Sequence, residues 1–596
     1  MIARRSPKSN NSPYVADLPL NDRCVARAGT KLQELQWRLV AIVTLLAAMF
    51  DLFRISAQPV WLDEAISIRF ARTRLSDFFS ATAQHDAAML LYCFLLRIPL
   101  AFGQSEFAAR SLSMIFAVAA VPSFYLLGRR LFDNRTAALA AILLAVNSLF
   151  IAYAQEARSY TLTTLIVIWS WYTLLDLVYR PGWARALYYS LVTGALAYCQ
   201  FFSLLMLPAQ LAALYSLRPG GKLLKVLAFS IFMIGMLSLP MAFMLWRMRP
   251  DADWISRPNV VMALHQLAVR FINLPRRIGP LPHIVVLLSV ITIVPLALPI
   301  FGVASGLRGM DRAKLFGYSC AGFGAILPVA ALLTASLLIK PVYVMRYVLP
   351  SLPFFLLLLA AGLCELRPAL MKVGLGLLVV ANVFGTLEYY RVPTKPDWRE
   401  AIEYLLSRVD PDDKVAIFPG YETCTFDYNL SRLDRSLPKA RVVFPEKPDS
   451  TVYELSTSIM STPHAVRYSR LWIISADPPL GDAKVLNAVI ENLDELYPYR
   501  YKTDFIGISV TLYTLKRGPP LVRRVNRVGF RNPNGVYMKL SNFRALDSDY
   551  HGKELERGGR LEQWSSCPQR PELPARSTIR FAKVTCLIFC TIDKLV

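Results

Sequence analysis

The sequence predicts a polytopic α-helical membrane protein of about eleven spans, with a small α/β domain outside the membrane near its C-terminal end. Three observations predict it. Of 596 residues, 55% are hydrophobic and only 18% charged, against roughly 25% charged in ordinary soluble chains. Apolar runs of about the length a bilayer requires recur from residue 38 to 389. Past residue 390 the pattern changes to short strand-like runs alternating with helical ones. The net charge of +24, from 66 Lys+Arg against 42 Asp+Glu, lies largely between the apolar runs, which points to a membrane and not to nucleic acid. Composition also excludes a disordered chain, a collagen and a small disulfide scaffold. The nine cysteines include no CxxC pair, so they suggest neither a zinc site nor a redox couple.

Residues 1–37 read as a cytoplasmic N-terminal segment. Spans are predicted at 38–56, 107–127, 136–153, 160–178, 186–200, 201–217, 226–246, 284–303, 315–338, 349–363 and 373–389. The first follows Asp17, Asp22 and Glu34 and begins late, so it reads as a signal anchor and not a cleaved signal peptide. Segment 87–103 contains Arg97 and Pro99. Laid flat in the outer interface with Arg97 snorkelling, it leaves every short basic loop inside, from Arg129, Arg130 and Arg135 to Arg367 and Lys372. That places the N-terminus in the cytoplasm. It places residues 57–106, 154–159, 247–283 and everything after 390 outside.

Residues 391–517 form the expected outer α/β domain. Its strands are read at Lys414–Pro419, Arg441–Pro445, Arg470–Ser475 and Phe505–Leu515, and its helices at 398–408 and 482–495. Asp397 and Glu400 have capping-box spacing at the first helix. Residues 518–596, rich in Arg and punctuated by Pro and Gly, read as a disordered tail.

Four polar groups gather on the outer side. Asp63 and Glu64 follow the first span; Asp63 reads either as a helix cap or as a general base held at the membrane surface. His85 and Asp86 precede the interfacial segment. One His and one Asp side by side cannot hold a small ion without further ligands, so no metal is predicted, although a divalent ion is compatible with the chemistry. Gln155, Glu156 and Arg158 end an apolar run, where such groups must pair or face water; a Glu156–Arg158 pair that only stitches the turn is the alternative. Arg346, between Tyr343 and Tyr347, reads either as an interfacial anchor or as a bidentate phosphate ligand.

The stretches WLDEA (61–65), GQSEFAARSLSMIFAVAAVPSFYLLGRRLF (103–132), YAQEARSY (153–160), VMRYVLPSLP (344–353) and KPDWREAIEYL (395–405) resemble, in that order, bacterial members of glycosyltransferase family 39. That family lies in the GT-C superfamily, alongside protein O-mannosyltransferases and lipid A aminoarabinose transferases. The resemblance covers roughly 38–517 and makes 38–390 a GT-C catalytic domain. It implies transfer of a sugar from a polyprenyl-phosphate carrier on the outer face of the membrane. By analogy Asp63 is the catalytic acid of the first loop. Arg346 and Tyr347 look toward the carrier phosphate, and Glu156 and Arg158 line the same cavity. Glu64, His85, Asp86 and Tyr343 complete the expected substrate-binding set. The sequence departs from the family at His85-Asp86-Ala87-Ala88, where many relatives carry a His-Pro-Pro-type motif.

The chemistry follows from the residues. An acceptor hydroxyl needs a base in the transition state, the role given to Asp63. The leaving phosphate needs positive charge, the role given to Arg346 with Arg158. Attack from one face predicts inversion. No Walker A or dinucleotide fingerprint occurs, and no cofactor is expected. The expected partners are the lipid-linked sugar, a glycan, lipid or protein acceptor, and the bilayer of a bacterial inner membrane, with no nucleic acid. The rival reading is a transporter or flippase of a lipid-linked substrate, which should show internal repeats and mid-depth charges.

Overall fold

The computed structural model describes residues 30–79, 89–217, 220–248, 255, 257–272, 312–433, 442–444, 469–476 and 480–515. Within them the chain is a helical membrane bundle followed by an α/β domain. Seven helices are long and apolar enough to cross a membrane: Glu34–Leu52, Glu106–Leu131, Tyr160–Tyr179, Gly221–Arg247, Lys314–Leu338, Met345–Cys364 and Pro368–Arg391. An eighth crossing results if Asn134–Val146 and Ser148–Ala154, bent by 58° against each other, count as one. The sequence does not announce the bend. It occurs at Asn147, whose side-chain oxygen accepts the Phe150 N–H at 3.1 Å while its amide donates to the Phe271 carbonyl at 3.1 Å. An asparagine that serves both sides of a break starts a new helix in place of continuing the old one.

The predicted spans 186–200 and 201–217 fall on shorter pieces, Trp183–Gly194, Leu196–Cys199 and Phe201–Tyr215. The backbone turns extended at Gln200 (φ −167°, ψ 106°), so no single helix there has crossing length. The predicted span 284–303, the pair His85 and Asp86, and the expected tail lie outside the described residues.

Segment 87–103 contains the helix Leu90–Phe102. Its 13 residues extend about 20 Å, short of the roughly 30 Å of a hydrocarbon core. Arg97 reaches back to the preceding helix. Its Nη1 donates to the carbonyls of Ala71 at 3.0 Å and Thr73 at 2.7 Å, closing the C-terminal end of helix Leu62–Arg72. The last carbonyls of a helix lack intrahelical partners, and a guanidinium satisfies two of them at once.

The membrane helices pack closely. A Cβ at Gly317 would lie 2.4 Å from the Leu131 carbonyl oxygen, which allows only glycine there. Gly317→Ala is expected to push these two helices apart and cost about 1–3 kcal/mol. A thermal-unfolding midpoint in detergent equal to wild type would show that the contact relaxes freely.

The α/β domain is built on a five-stranded sheet in the order β2-β1-β3-β5-β4, where β1 is Lys414–Phe418, β2 Val442–Phe444, β3 Arg470–Ala476, β4 Tyr499–Phe505 and β5 Ile508–Thr514. The pairs β1–β2 and β1–β3 are parallel; β3–β5 and β4–β5 are antiparallel. Side chains alternate between two faces. Val415, Ile417, Trp472 and Ile474 pack against helix Trp398–Leu406, while Ala416, Leu471 and Ile473 pack against helix Leu480–Leu496. Asp397 accepts the Glu400 N–H at 3.2 Å, the expected cap. Two elements escape the sequence reading. Strand β4, YRYKTDF, is a charged edge strand with little apolar alternation. Helix Thr423–Ser431 is a short polar stretch buried on both sides, Phe426 in the core of the α/β domain and Tyr428 against the membrane domain.

Candidate active site

Helix Leu62–Arg72 lies just past the first span. It starts from an extended Trp61, and no side chain caps it. Asp63 therefore sits inside the first turn and not at the cap, which leaves its carboxylate available for other partners. The Arg346 Nη1 lies 3.4 Å and the Arg158 Nη2 3.8 Å from Asp63 Oδ2. Arg158 Nη1 also donates to the Asp63 carbonyl at 3.0 Å and to Ser67 Oγ at 3.3 Å. Residues 63, 158 and 346, far apart in sequence, thus form one carboxylate–diguanidinium cluster. Their side chains retain 19%, 10% and 21% exposure, enough for a ligand to reach them.

The turn that carries Arg158 is fixed by its own residues. Gln155 donates to the carbonyls of Asp51 at 2.9 Å and Phe53 at 2.8 Å, at the end of the first span. The Ala157 N–H donates to Glu64 at 2.9 Å, and Ser113 Oγ donates to the Arg158 carbonyl at 3.1 Å. Glu156 is half-buried, and its carbonyl accepts the Arg158 N–H at 2.8 Å. Arg346 lies in the four-residue turn Met345–Val348, and its carbonyl accepts from Gln200 at 3.2 Å. The Tyr347 ring packs on Phe202 at 5.2 Å. Tyr343 is buried, with its N–H on Ser336 Oγ at 2.6 Å.

Glu64 has a different environment from its neighbour. It is wholly buried, and Arg110 grips both its oxygens at 2.8 Å. Lys395 Nζ adds a further contact at 3.0 Å. Arg110 also donates to the carbonyls of Ile55, Gln58 and Pro59 at 2.7–3.1 Å. Burial alone raises the Glu64 pKa, but the charges of Arg110 and Lys395, with the bonds from Arg110 and the Ala157 N–H, outweigh it and bring it down to about 2. Lys395, squeezed by burial and by Arg110, is pushed below the ordinary lysine value.

Sequence reasoning did not assign Arg110 or Lys395, although both stand inside the quoted stretches. The signal for Arg110 was an arginine within an apolar helix, a group that must find a partner. Sequence gave no signal for Glu422. This residue of the α/β domain is buried, and its carboxyl feels the Asp63 charge. A cavity of about 290 Å³ between bundle and domain is lined by Gln155, Lys395 and Arg399 but not by Asp63. Among the described residues no three His, Cys, Asp or Glu side chains stand together as metal ligands.

The family model described as dolichyl-phosphate-mannose-protein mannosyltransferase matches residues 87–246, a window that holds the Arg158 turn but neither Asp63 nor Arg346. The crystal structure of ArnT from Cupriavidus metallidurans in the apo state superposes with a TM-score of 0.52 at 12% identity, covering 80% of this chain and 98% of that one. The same protein bound to undecaprenyl phosphate gives 0.50 at 12% identity over 81% and 98%. No curated protein matches by sequence. At such identities the likeness concerns the fold, and the chain has the GT-C fold that its motifs suggested.

Proposed function

We propose that this GT-C chain is a membrane glycosyltransferase that moves a sugar from a polyprenyl-phosphate donor to an acceptor hydroxyl. One observation carries the reading: Asp63, Arg158 and Arg346 meet in one partly exposed cluster. In the step, the acceptor oxygen attacks the anomeric carbon and its proton passes to Asp63. The carbon–oxygen bond to phosphate breaks, and the electron pair leaves with the polyprenyl phosphate. Arg346 and Arg158 hold that phosphate and stabilise its growing charge. Glu64, Arg110 and Lys395 keep the helix of Asp63 in place. Tyr347 and Glu156 border the cluster. His85, Asp86 and the buried Tyr343 are assigned to the substrate side on family resemblance. Single displacement inverts the sugar carbon. On the topology read from the loop charges, the cluster and the α/β domain face the periplasm of a bacterial inner membrane. ArnT, with the same fold, was solved with undecaprenyl phosphate bound, which supports a carrier of that class here.

Undecaprenyl phosphate in nanodiscs is the direct probe. Arg346→Ala should weaken its binding by about 10–100-fold, the worth of one or two charge-assisted hydrogen bonds. Unchanged affinity would remove Arg346 from the carrier site. To separate transferase from flippase, labelled sugar must appear on a new acceptor without changing sides of the membrane.

A further inference from the structure

We propose that Tyr160 is a further binding residue for the carrier, its hydroxyl donating a hydrogen bond to the phosphate of the bound lipid. This rests on the function proposed above. Tyr160 is the last residue of the stretch YAQEARSY and the first of helix Tyr160–Tyr179. The backbone on both sides of it is pinned to one residue of a neighbouring helix. Ser113 Oγ donates to the Arg158 carbonyl at 3.1 Å, and Thr161 Oγ1 donates to the Ser113 carbonyl at 2.9 Å. The Arg158 guanidinium lies 6.0 Å from the centre of the Tyr160 ring, within cation–π range. The Tyr153 ring packs edge-on against it at 4.8 Å. Tyr160 is thus held beside one of the two guanidinium groups assigned to the carrier phosphate.

Tyr160 is 3% exposed, and its Oη is buried with no hydrogen-bond partner among the described residues. A buried tyrosine hydroxyl ordinarily finds a partner, and leaving one unmet is costly. Asp63 Oδ2 stands in the same condition. Arg346 and Arg158 are 3.4 and 3.8 Å away, yet this oxygen too is buried without a hydrogen bond among the described residues. A hydroxyl that can donate and a carboxylate that only accepts, both unmet at one pair of cations, mark a place that a polar ligand completes. The charges select the ligand. Two guanidinium groups stand against one carboxylate, and the N-terminal end of a 20-residue helix adds its positive dipole. An anion is favoured there, and a phenol beside it donates without adding charge. In the proposed step the phosphate is that anion.

The test is Tyr160→Phe in the full-length protein in nanodiscs, a change that keeps the ring and removes only the hydroxyl. Affinity for undecaprenyl phosphate should fall about 10–100-fold, the worth of a hydrogen bond to a charged group. Undecaprenol, the same lipid without its phosphate, should bind the variant as weakly as it binds wild type. The unfolding midpoint of the lipid-free variant should equal or exceed that of wild type, because no bond within the protein is lost. Equal affinity of the two proteins for undecaprenyl phosphate overturns the assignment, and so does an equal fall with undecaprenol. A lower midpoint, or failure of Y160F to fold, also overturns it, since the hydroxyl would then serve the fold and not the ligand. Failure of wild type to prefer undecaprenyl phosphate over undecaprenol overturns the carrier reading first, and this one with it.

Discussion

Asp63→Asn abolishes sugar transfer and leaves carrier binding intact. A general base contributes about 10²–10⁴-fold to such a step, and an amide cannot take the acceptor proton. Binding should not weaken, because the change removes a negative charge 3.4 Å from Arg346 and leaves both guanidinium groups for the phosphate. The contrast separates this variant from Arg346→Ala, which loses affinity. The measurement is mass analysis of surface glycans in a deletion strain complemented with each variant, together with undecaprenyl phosphate binding to the purified proteins. Full complementation by Asp63→Asn would take Asp63 out of the chemistry. Loss of binding would make it a structural residue.

Replacing Glu64 has the largest expected effect on stability. Glu64→Ala leaves Arg110, at 1% exposure, and Lys395, at 5%, as buried cations without their carboxylate. Breaking a buried pair from one side typically costs about 3–5 kcal/mol. The unfolding midpoint in detergent should drop sharply, and a double Glu64→Gln, Arg110→Met variant should recover part of the loss. A drop no larger than that of a surface substitution would show that water reaches the network. The pH dependence has a definite sign. The folded-state pKa of Glu64, about 2, lies below its ordinary 4.5. The stabilisation is therefore complete above about pH 4.5 and disappears as the pH falls toward 2. An acid-unfolding profile with no contribution from Glu64 in that window would contradict the assignment.

Much of this site was legible in the residues. A carboxylate after the first span, an arginine in a tight turn and a second arginine at a helix mouth were each ambiguous alone. The family pattern joined them, and the fold brings them within 4 Å of one another through Asp63. The bundle was legible wherever one helix runs unbroken. It was not legible at Asn147, where side-chain hydrogen bonds and not hydropathy set the break, or at Gln200, where the backbone turns extended. The difference between Asp63 and Glu64 was equally hidden. Adjacent residues on a helix point about 100° apart, so one carboxylate meets Arg158 and Arg346 while the other is sealed against Arg110. The burial of Glu422 was beyond reach, since no sequence signal marks it.

The clasp of Glu64 by Lys395 joins positions 331 apart in the chain. During synthesis the helix that carries Asp63 is made early, yet the ammonium that adds the last contact to Glu64 follows helix Pro368–Arg391. A nascent polypeptide released before residue 395 would therefore hold the Glu64 carboxylate against Arg110 alone. Completion of the network around Glu64 is thus coupled to synthesis of the chain through residue 395.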